Sequence, residues 1–417
     1  MLLLGNSIIK IIKNNRVPRG IGKKRRKCVI IGPMELKGKI VLKDRVTSGT
    51  VQVEDGTIAG IREHGCPDDC SFILPGFVDL HTHGSGGFDF MDGAASDITG
   101  AAQSLARHGT TTCFPTTLTS SDDEMMAFFE NFKQIHGEQM QNRLPFCAKM
   151  PALHLEGPYF DMEMKGAQNP RYIRNPEPEH YNRMLEAAGG LVGRWSVAPE
   201  LPGAMRFIDD MTEAGVLVSA AHTAATYDVI SEAYDHGLNM LTHFYSGMST
   251  ITRRGGFRIL GAVESGYLID GMNVELICDG LHLPPDLLGM IFKLKDHGRI
   301  TACSDSMRGA GMPEGPSVLG PKNNGMPCII EDGIAKLTDR SCFAGSVATG
   351  DRLARTLHCI MGLGLDEVSR ILCLQPAALA GLDGEIGSIE AGKRADLVVC
   401  DGNIGIKQVY VDGNAVL

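Results

Sequence analysis

Between residues 76 and 384 the chain alternates short apolar runs with longer segments in which apolar residues recur every three or four positions. The runs at 77–80, 111–115, 152–155, 195–198, 216–220, 239–242, 274–278 and 300–304 have the length and side chains of buried strands. The segments between them, among them 97–107, 122–135, 177–188, 205–214, 227–236 and 286–297, read as helices. Strands alternating with helices predict an α/β fold, and eight of them predict a (β/α)8 barrel. An open doubly wound sheet fits the same alternation. The barrel accounts for more, because its chemistry gathers at the C-terminal ends of the strands.

Both ends of the chain follow another rhythm. From 37 to 73 the runs GKIVL, TVQVEDGTIAGI and FILPG alternate with period two, and Asp55-Gly56 between β-rich stretches is a hairpin signal. The last segment, GEIGSIEAGKRADLVVCDGNIGIKQVYVDGNAV, reads the same way. Residues 34–75 and 385–417 are therefore expected to build one small β unit around a body at 76–384. Residues 1–33 stand apart as a basic extension ahead of a more natural start at Met34.

Composition narrows the class. A chain of 417 residues with 43% hydrophobic and 21% charged residues is long enough for a large core. The net charge of -9 hides an uneven distribution. The first 33 residues carry Lys10, Lys13, Arg16, Arg19, Lys23, Lys24, Arg25, Arg26 and Lys27 and no acid, so the remainder is twice as negative as the whole. Such an acidic body argues against non-specific binding of nucleic acid. The apolar stretches are too short, or too interrupted by Lys and Asn, to span a bilayer. Twelve cysteines without paired spacing suit a reducing cytoplasm.

The chemistry sits where strand runs stop. FVDLHTH, ALHLEGP, VLVSAAH, NMLTH and ITACSD end on His81 and His83, Glu156, His222, His243 and Asp305. Imidazoles and carboxylates are costly at an apolar strand end unless something binds or neutralises them. Each alone reads equally as a satisfied core histidine or a capping carboxylate. Together they point to one divalent metal site, or two, since imidazole and carboxylate suit zinc, iron, manganese or cobalt. His81 and His83 straddle Thr82 and so share a strand face. An Asp beside such a site can take a proton from water and return it to a leaving group, the role expected of Asp305. Arg253-Arg254 forms a positive fork able to hold a phosphate, or a solvated surface pair. Asp279-Gly280-Leu281-His282 brings an imidazole to the same rim. Phe343-Ala344-Gly345-Ser346 reads as a tight turn with free backbone amides.

LPGFVDLHTHG, HLEGPYF, the two later histidine strand ends, DGLH, CSDSM, FAGS and GSIEAGKRADLVV together resemble the amidohydrolase superfamily, and within it the N-acetylglucosamine-6-phosphate deacetylase family. The resemblance runs from about Met34 to Leu417. It implies a distorted barrel with a small β-sandwich made from both termini, and a metal-dependent hydrolase of an acetamido sugar phosphate. It also implies metal ligation by Glu156, His222 and His243, a second ion at His81 and His83, and Asp305 as general acid and base. For the substrate it implies Arg254 on the phosphate from a neighbouring subunit of a homodimer, His282 and the Ala167-Gln168 loop on the sugar and acetyl group, and Gln168 as a donor to the developing oxyanion. The turn at Phe343, Ala344 and Gly345 belongs to the same expected contact set. Two departures stand out: Ser246-Gly247 replaces a usual Asn-Ala pair beside the phosphate, and Gln168 stands where many members have His.

Overall fold

The structure, a computed structural model, describes residues 33–416 apart from Asp68 and Pro145; the basic leader lies outside the described residues. Eight strands carry the body: Phe77–Thr82 (β1), Thr110–Pro115 (β2), Leu153–Glu156 (β3), Val192–Val197 (β4), Leu217–Ala220 (β5), Met240–Leu241 (β6), Asn273–Ile277 (β7) and Ile300–Cys303 (β8). Each falls on an apolar run expected to be a strand. Strands β3 to β8 form one six-stranded parallel sheet in sequence order, and β1 pairs with β2, also in parallel. The two pieces are stitched at both margins. Thr117 N donates to His154 O between β2 and β3, and Asp305 N and His83 N donate to His81 O and Ser306 O between β8 and β1.

Helices fill the gaps between the strands, with local reasons for their limits. Asp122–Met140 starts at Ser121, whose hydroxyl accepts from Glu124 N while the Glu124 carboxylate accepts from Ser121 N, a reciprocal cap that satisfies two otherwise orphaned amides. Pro178–Ala188 begins at a proline whose missing N–H costs nothing there and ends at Gly189 in the left-handed region. The helix expected at 286–297 stops earlier, at Leu294, because Lys295 turns extended and Asp296 caps a short 3-10 turn through Gly298 N. Apolar faces of helices and strands meet in one large core, with Trp195, Phe128, Phe129, Phe132 and Phe207 fully buried.

Strands from both ends of the chain share a seven-stranded sheet, in the order Asn414–Ala415, Ile406–Val411, Leu397–Cys400, Phe72–Pro75, Met34–Val41, Val46–Glu54, Thr57–Glu63. Period-two alternation gives it two apolar faces. Ile40, Val51, Val53, Ile73 and Leu397 enclose a small core of their own, while Val41, Leu74, Val398 and Cys400 join the large one. Three antiparallel additions were not foreseen from the hydropathy pattern, the smallest being Gly84–Ser85 with Phe88–Asp89 after β1. A three-stranded sheet, Gly315–Leu319, Met326–Glu331 and Ile334–Leu337, follows β8 and buries Leu319, Cys328 and Ile330 against Met307 and Ala344. A hairpin, Thr252–Arg254 with Phe257–Ile259, follows β6. Among the described residues no helix is long and apolar enough to cross a membrane.

Candidate active site

All six strand-end residues meet at the C-terminal ends of β1, β3, β5, β6 and β8. Glu156 stands at the centre. Its Oε1 lies 3.1 Å from His243 Nε2, 3.3 Å from His222 Nε2 and 3.5 Å from His81 Nε2. Its Oε2 lies 3.4 Å from His83 Nε2. Asp305 Oδ1 closes the ring at 3.2 Å from His83 Nε2 and 3.4 Å from His81 Nε2. All six residues are buried. His222, His243 and Asp305 have φ of 47°, 33° and 46°, left-handed backbone that non-glycine residues adopt at a cost, typically where a site requires it.

The other nitrogen of every imidazole is held. His83 Nδ1, His222 Nδ1 and His243 Nδ1 face the carbonyl oxygens of Thr116, Met164 and Ser246, and His81 Nδ1 faces Glu275 Oε2. A carbonyl oxygen only accepts, so in these three rings Nδ1 carries the proton and, in the neutral ring, Nε2 presents a lone pair to the site. Lone pairs and carboxylate oxygens facing one another at these distances repel unless a proton or a cation lies among them. Burial opposes charge on His81, yet Glu156 and Asp305 pull its pKa up to about 10. Burial pushes His243 down, which favours its neutral ring. Burial would likewise raise the Glu156 carboxyl, but His81 and the rings of His222 and His243 hold it well below the carboxylate range.

A divalent cation fits this donor set. The separations of 3.1–3.5 Å match the roughly 3.4 Å between ligands of a tetrahedral ion with bonds of about 2.1 Å. His81 Nε2 is buried without a hydrogen-bond partner, which a cation would supply. Two three-residue ligand sets share the central carboxylate: Glu156 with His222 and His243, and Glu156 with His81 and His83.

These side chains open onto a cavity of about 240 Å³, room for roughly eight waters. Its wall includes Ala167, Gln168, Ser246, Gly247, His282, Phe343 and Gly345 as expected from the sequence, together with Leu118, Gly166, Leu319 and Cys342, which were not. His282 Nδ1 is tied to Asp279 Oδ2 at 2.8 Å, so a neutral His282 turns its acceptor nitrogen to the cavity.

The structure makes four of the expectations more exact. Gln168 is already engaged: its Oε1 accepts from Thr119 N, which fixes the amide orientation, and its Nε2 donates to Glu156 Oε2 at 2.7 Å. One of its two Nε2 hydrogens therefore braces Glu156, and the other is left for the cavity that Gln168 lines. In the turn after Phe343, Ala344 N donates to Ala335 O and Ser346 N to Asp305 O, while the N–H of Gly345, a residue of the cavity wall, has no hydrogen-bond partner among the described residues. Ala344 itself is fully buried against Met307 and Ile330 and is no wall residue. Arg253 and Arg254 lie on the exposed hairpin after β6 and do not line this chain's cavity, where Arg254 was not expected, its place being the site of a neighbouring subunit.

The chain belongs to the amidohydrolase family, whose model matches residues 72–416. Among curated relatives, the N-acetylgalactosamine-6-phosphate deacetylase of Escherichia coli O157:H7 is 30% identical over 87% of this chain and 93% of its own length. The N-acetylglucosamine-6-phosphate deacetylase of Lysinibacillus sphaericus is also 30% identical, over 87% and 92%. A Mycobacterium smegmatis N-acetyl-D-glucosamine-6-phosphate deacetylase variant, solved with N-acetyl-D-glucosamine-6-phosphate, superposes with a TM-score of 0.83 at 27% identity, over 92% of this chain and 99% of that one. The Thermotoga maritima N-acetylglucosamine-6-phosphate deacetylase gives 0.81 at 28%, with the same coverage. These relatives bear out the resemblance drawn from the sequence motifs.

Proposed function

We propose that this chain removes the acetyl group of N-acetyl-D-glucosamine 6-phosphate, giving D-glucosamine 6-phosphate and acetate. The observation that carries the reading is the convergence of four imidazoles and two carboxylates on one small cavity in a chain related to deacetylases over 87% of its length. Glu156, His222 and His243 hold one divalent cation, with His81 and His83 available to a second; zinc suits the donors best, and iron, manganese or cobalt fit them too. When bound, the ion supplies positive charge that polarises the amide carbonyl and acidifies water.

The chain's own groups do the rest. Asp305, beside His81 and His83, takes a proton from the water whose oxygen bonds to the carbonyl carbon, and hands that proton to the amine nitrogen as the amide C–N bond breaks, leaving acetate and the free amine. Gln168 keeps Glu156 in place. His282, oriented by Asp279, accepts from a sugar hydroxyl, and Phe343 borders the mouth. Arg254 reaches the phosphate from the second subunit of a homodimer, which accounts for its exposed position outside its own chain's cavity. The eight parallel strands, stitched at both margins, are one closed (β/α)8 barrel spanning 76–384, flanked by a β-sandwich domain of 34–75 and 385–417. The enzyme works in the cytoplasm.

A second reading is deacetylation of N-acetylgalactosamine 6-phosphate, favoured by the Escherichia coli relative and by Ser246-Gly247 in the cavity wall. Acetate release from both phosphorylated sugars and from unphosphorylated N-acetylglucosamine separates the two. Highest kcat/KM on the glucosamine phosphate is expected; release equally fast without phosphate would overturn the assignment.

A further inference from the structure

Two strands of the body carry charges that their hydropathy does not call for. Arg194 lies in the middle of β4 and Glu275 in the middle of β7, and neither has any exposed surface. They form an ion pair in which Arg194 donates from both terminal nitrogens, at 2.9 Å to Glu275 Oε2 and also to Oε1. The remaining Arg194 donors go to Ser219 Oγ, Thr242 Oγ1 and Leu80 O. Taking two charges out of water costs about as much as their attraction returns, so stability alone gives little reason for such a pair. Its position gives a better one. Glu275 Oε2 accepts at 3.3 Å from His81 Nδ1, and again at 3.3 Å from the backbone N–H of His243. One carboxylate oxygen thus touches a ligand of each candidate cation position. Glu275 and Cys303 lie close enough to His81 to suggest a ligand set of their own, but both Glu275 oxygens are committed to Arg194.

We propose that Arg194 and Glu275 are a positioning pair for the cation site. Glu275 holds His81 as the tautomer protonated at Nδ1, so that Nε2 faces Glu156 and Asp305, and it anchors the left-handed turn at His243. Arg194 fixes the Glu275 carboxylate so that Oε2 points at both. The proposal rests on the reading that this site binds a divalent cation, and it adds which buried residues set the affinity.

The test is competitive titration of metal-free protein with zinc against a chromophoric chelator, alongside the visible absorption of the cobalt-loaded protein. Proteins compared are the wild type, Glu275→Gln and the double variant Arg194→Met with Glu275→Leu. The double variant removes both buried charges together, so it keeps a thermal transition near wild type even if Glu275→Gln loses some stability. Both variants are expected to bind zinc about 10- to 100-fold more weakly, with a changed cobalt spectrum. Wild-type affinity and spectrum in a folded double variant would overturn the proposal and leave the cation site standing. Failure of the wild type to bind either ion would instead remove the cation reading on which it rests.

Discussion

Replacing Asp305 by Asn is the sharpest chemical perturbation of this site. Asn is nearly isosteric and leaves the backbone contacts of residue 305 untouched, its N–H on His81 O and its carbonyl under Ser346 N. The left-handed backbone, φ 46°, suits Asn as well as Asp. What disappears is the anionic oxygen 3.2 Å from His83 and 3.4 Å from His81, and with it the group that accepts and returns a proton. A positioned general acid or base contributes about 10²- to 10⁴-fold, which is roughly 2.7–5.5 kcal/mol of barrier. Acetate release from N-acetyl-D-glucosamine 6-phosphate should therefore lose that much in kcat. The thermal transition should stay close to wild type, and the ion bound by Glu156, His222 and His243 should remain. Turnover within about tenfold of wild type, in protein carrying its ion, would refute the assignment of the proton carrier.

Two further predictions reach other parts of the chain. Arg254→Glu should raise KM about tenfold or more for the phosphorylated sugar and hardly change turnover of the unphosphorylated one; equal effects on both would remove Arg254 from phosphate recognition. At the foot of the helix Gly350–Arg355, burial raises the Asp351 carboxyl, but His108, Thr349 and Arg355 outweigh it and hold it well below the carboxylate range. A depressed carboxyl stabilises the fold above its unfolded pKa of about 3.9 and loses that contribution as pH falls through lower values. Asp351→Asn should thus cost about 1–2 kcal/mol at pH 7, and the difference from wild type should shrink on acidification below about pH 4; a difference that is flat with pH would contradict the assignment.

Much of this architecture was legible because five of the eight strands end their apolar runs on polar residues with no structural reason to be there. His81, His83, Glu156, His222, His243 and Asp305 could be read from that break alone, and the structure brings all six together. The supporting layer was missed, although two signals existed. Glu275 in NVELI and Arg194 in VGRWSV are lone charges in otherwise buried strands, and each demanded a partner that only the tertiary fold identifies. The three-stranded sheet after β8 was hidden by glycine and proline breaks, yet Asp332-Gly333 between Glu331 and Ile334 is a two-residue hairpin signal. Leu118, Leu319 and Cys342 reach the cavity from loops and from that sheet, so no periodicity pointed to them. Only part of the turn after Phe343 offers free amides, because a turn next to a strand satisfies most donors locally; Ala344 and Ser346 do so through Ala335 and Asp305, and Gly345 does not.

The central claim is that the six converging groups capture a divalent cation on which hydrolysis depends. Elemental analysis of the purified protein, with acetate release followed in the same sample through chelation and stepwise return of zinc, tests it most directly. At least one equivalent per chain, with activity lost on chelation and regained in proportion to the ion returned, is the expected result. Full acetate release from protein holding less than about a tenth of an equivalent would contradict it.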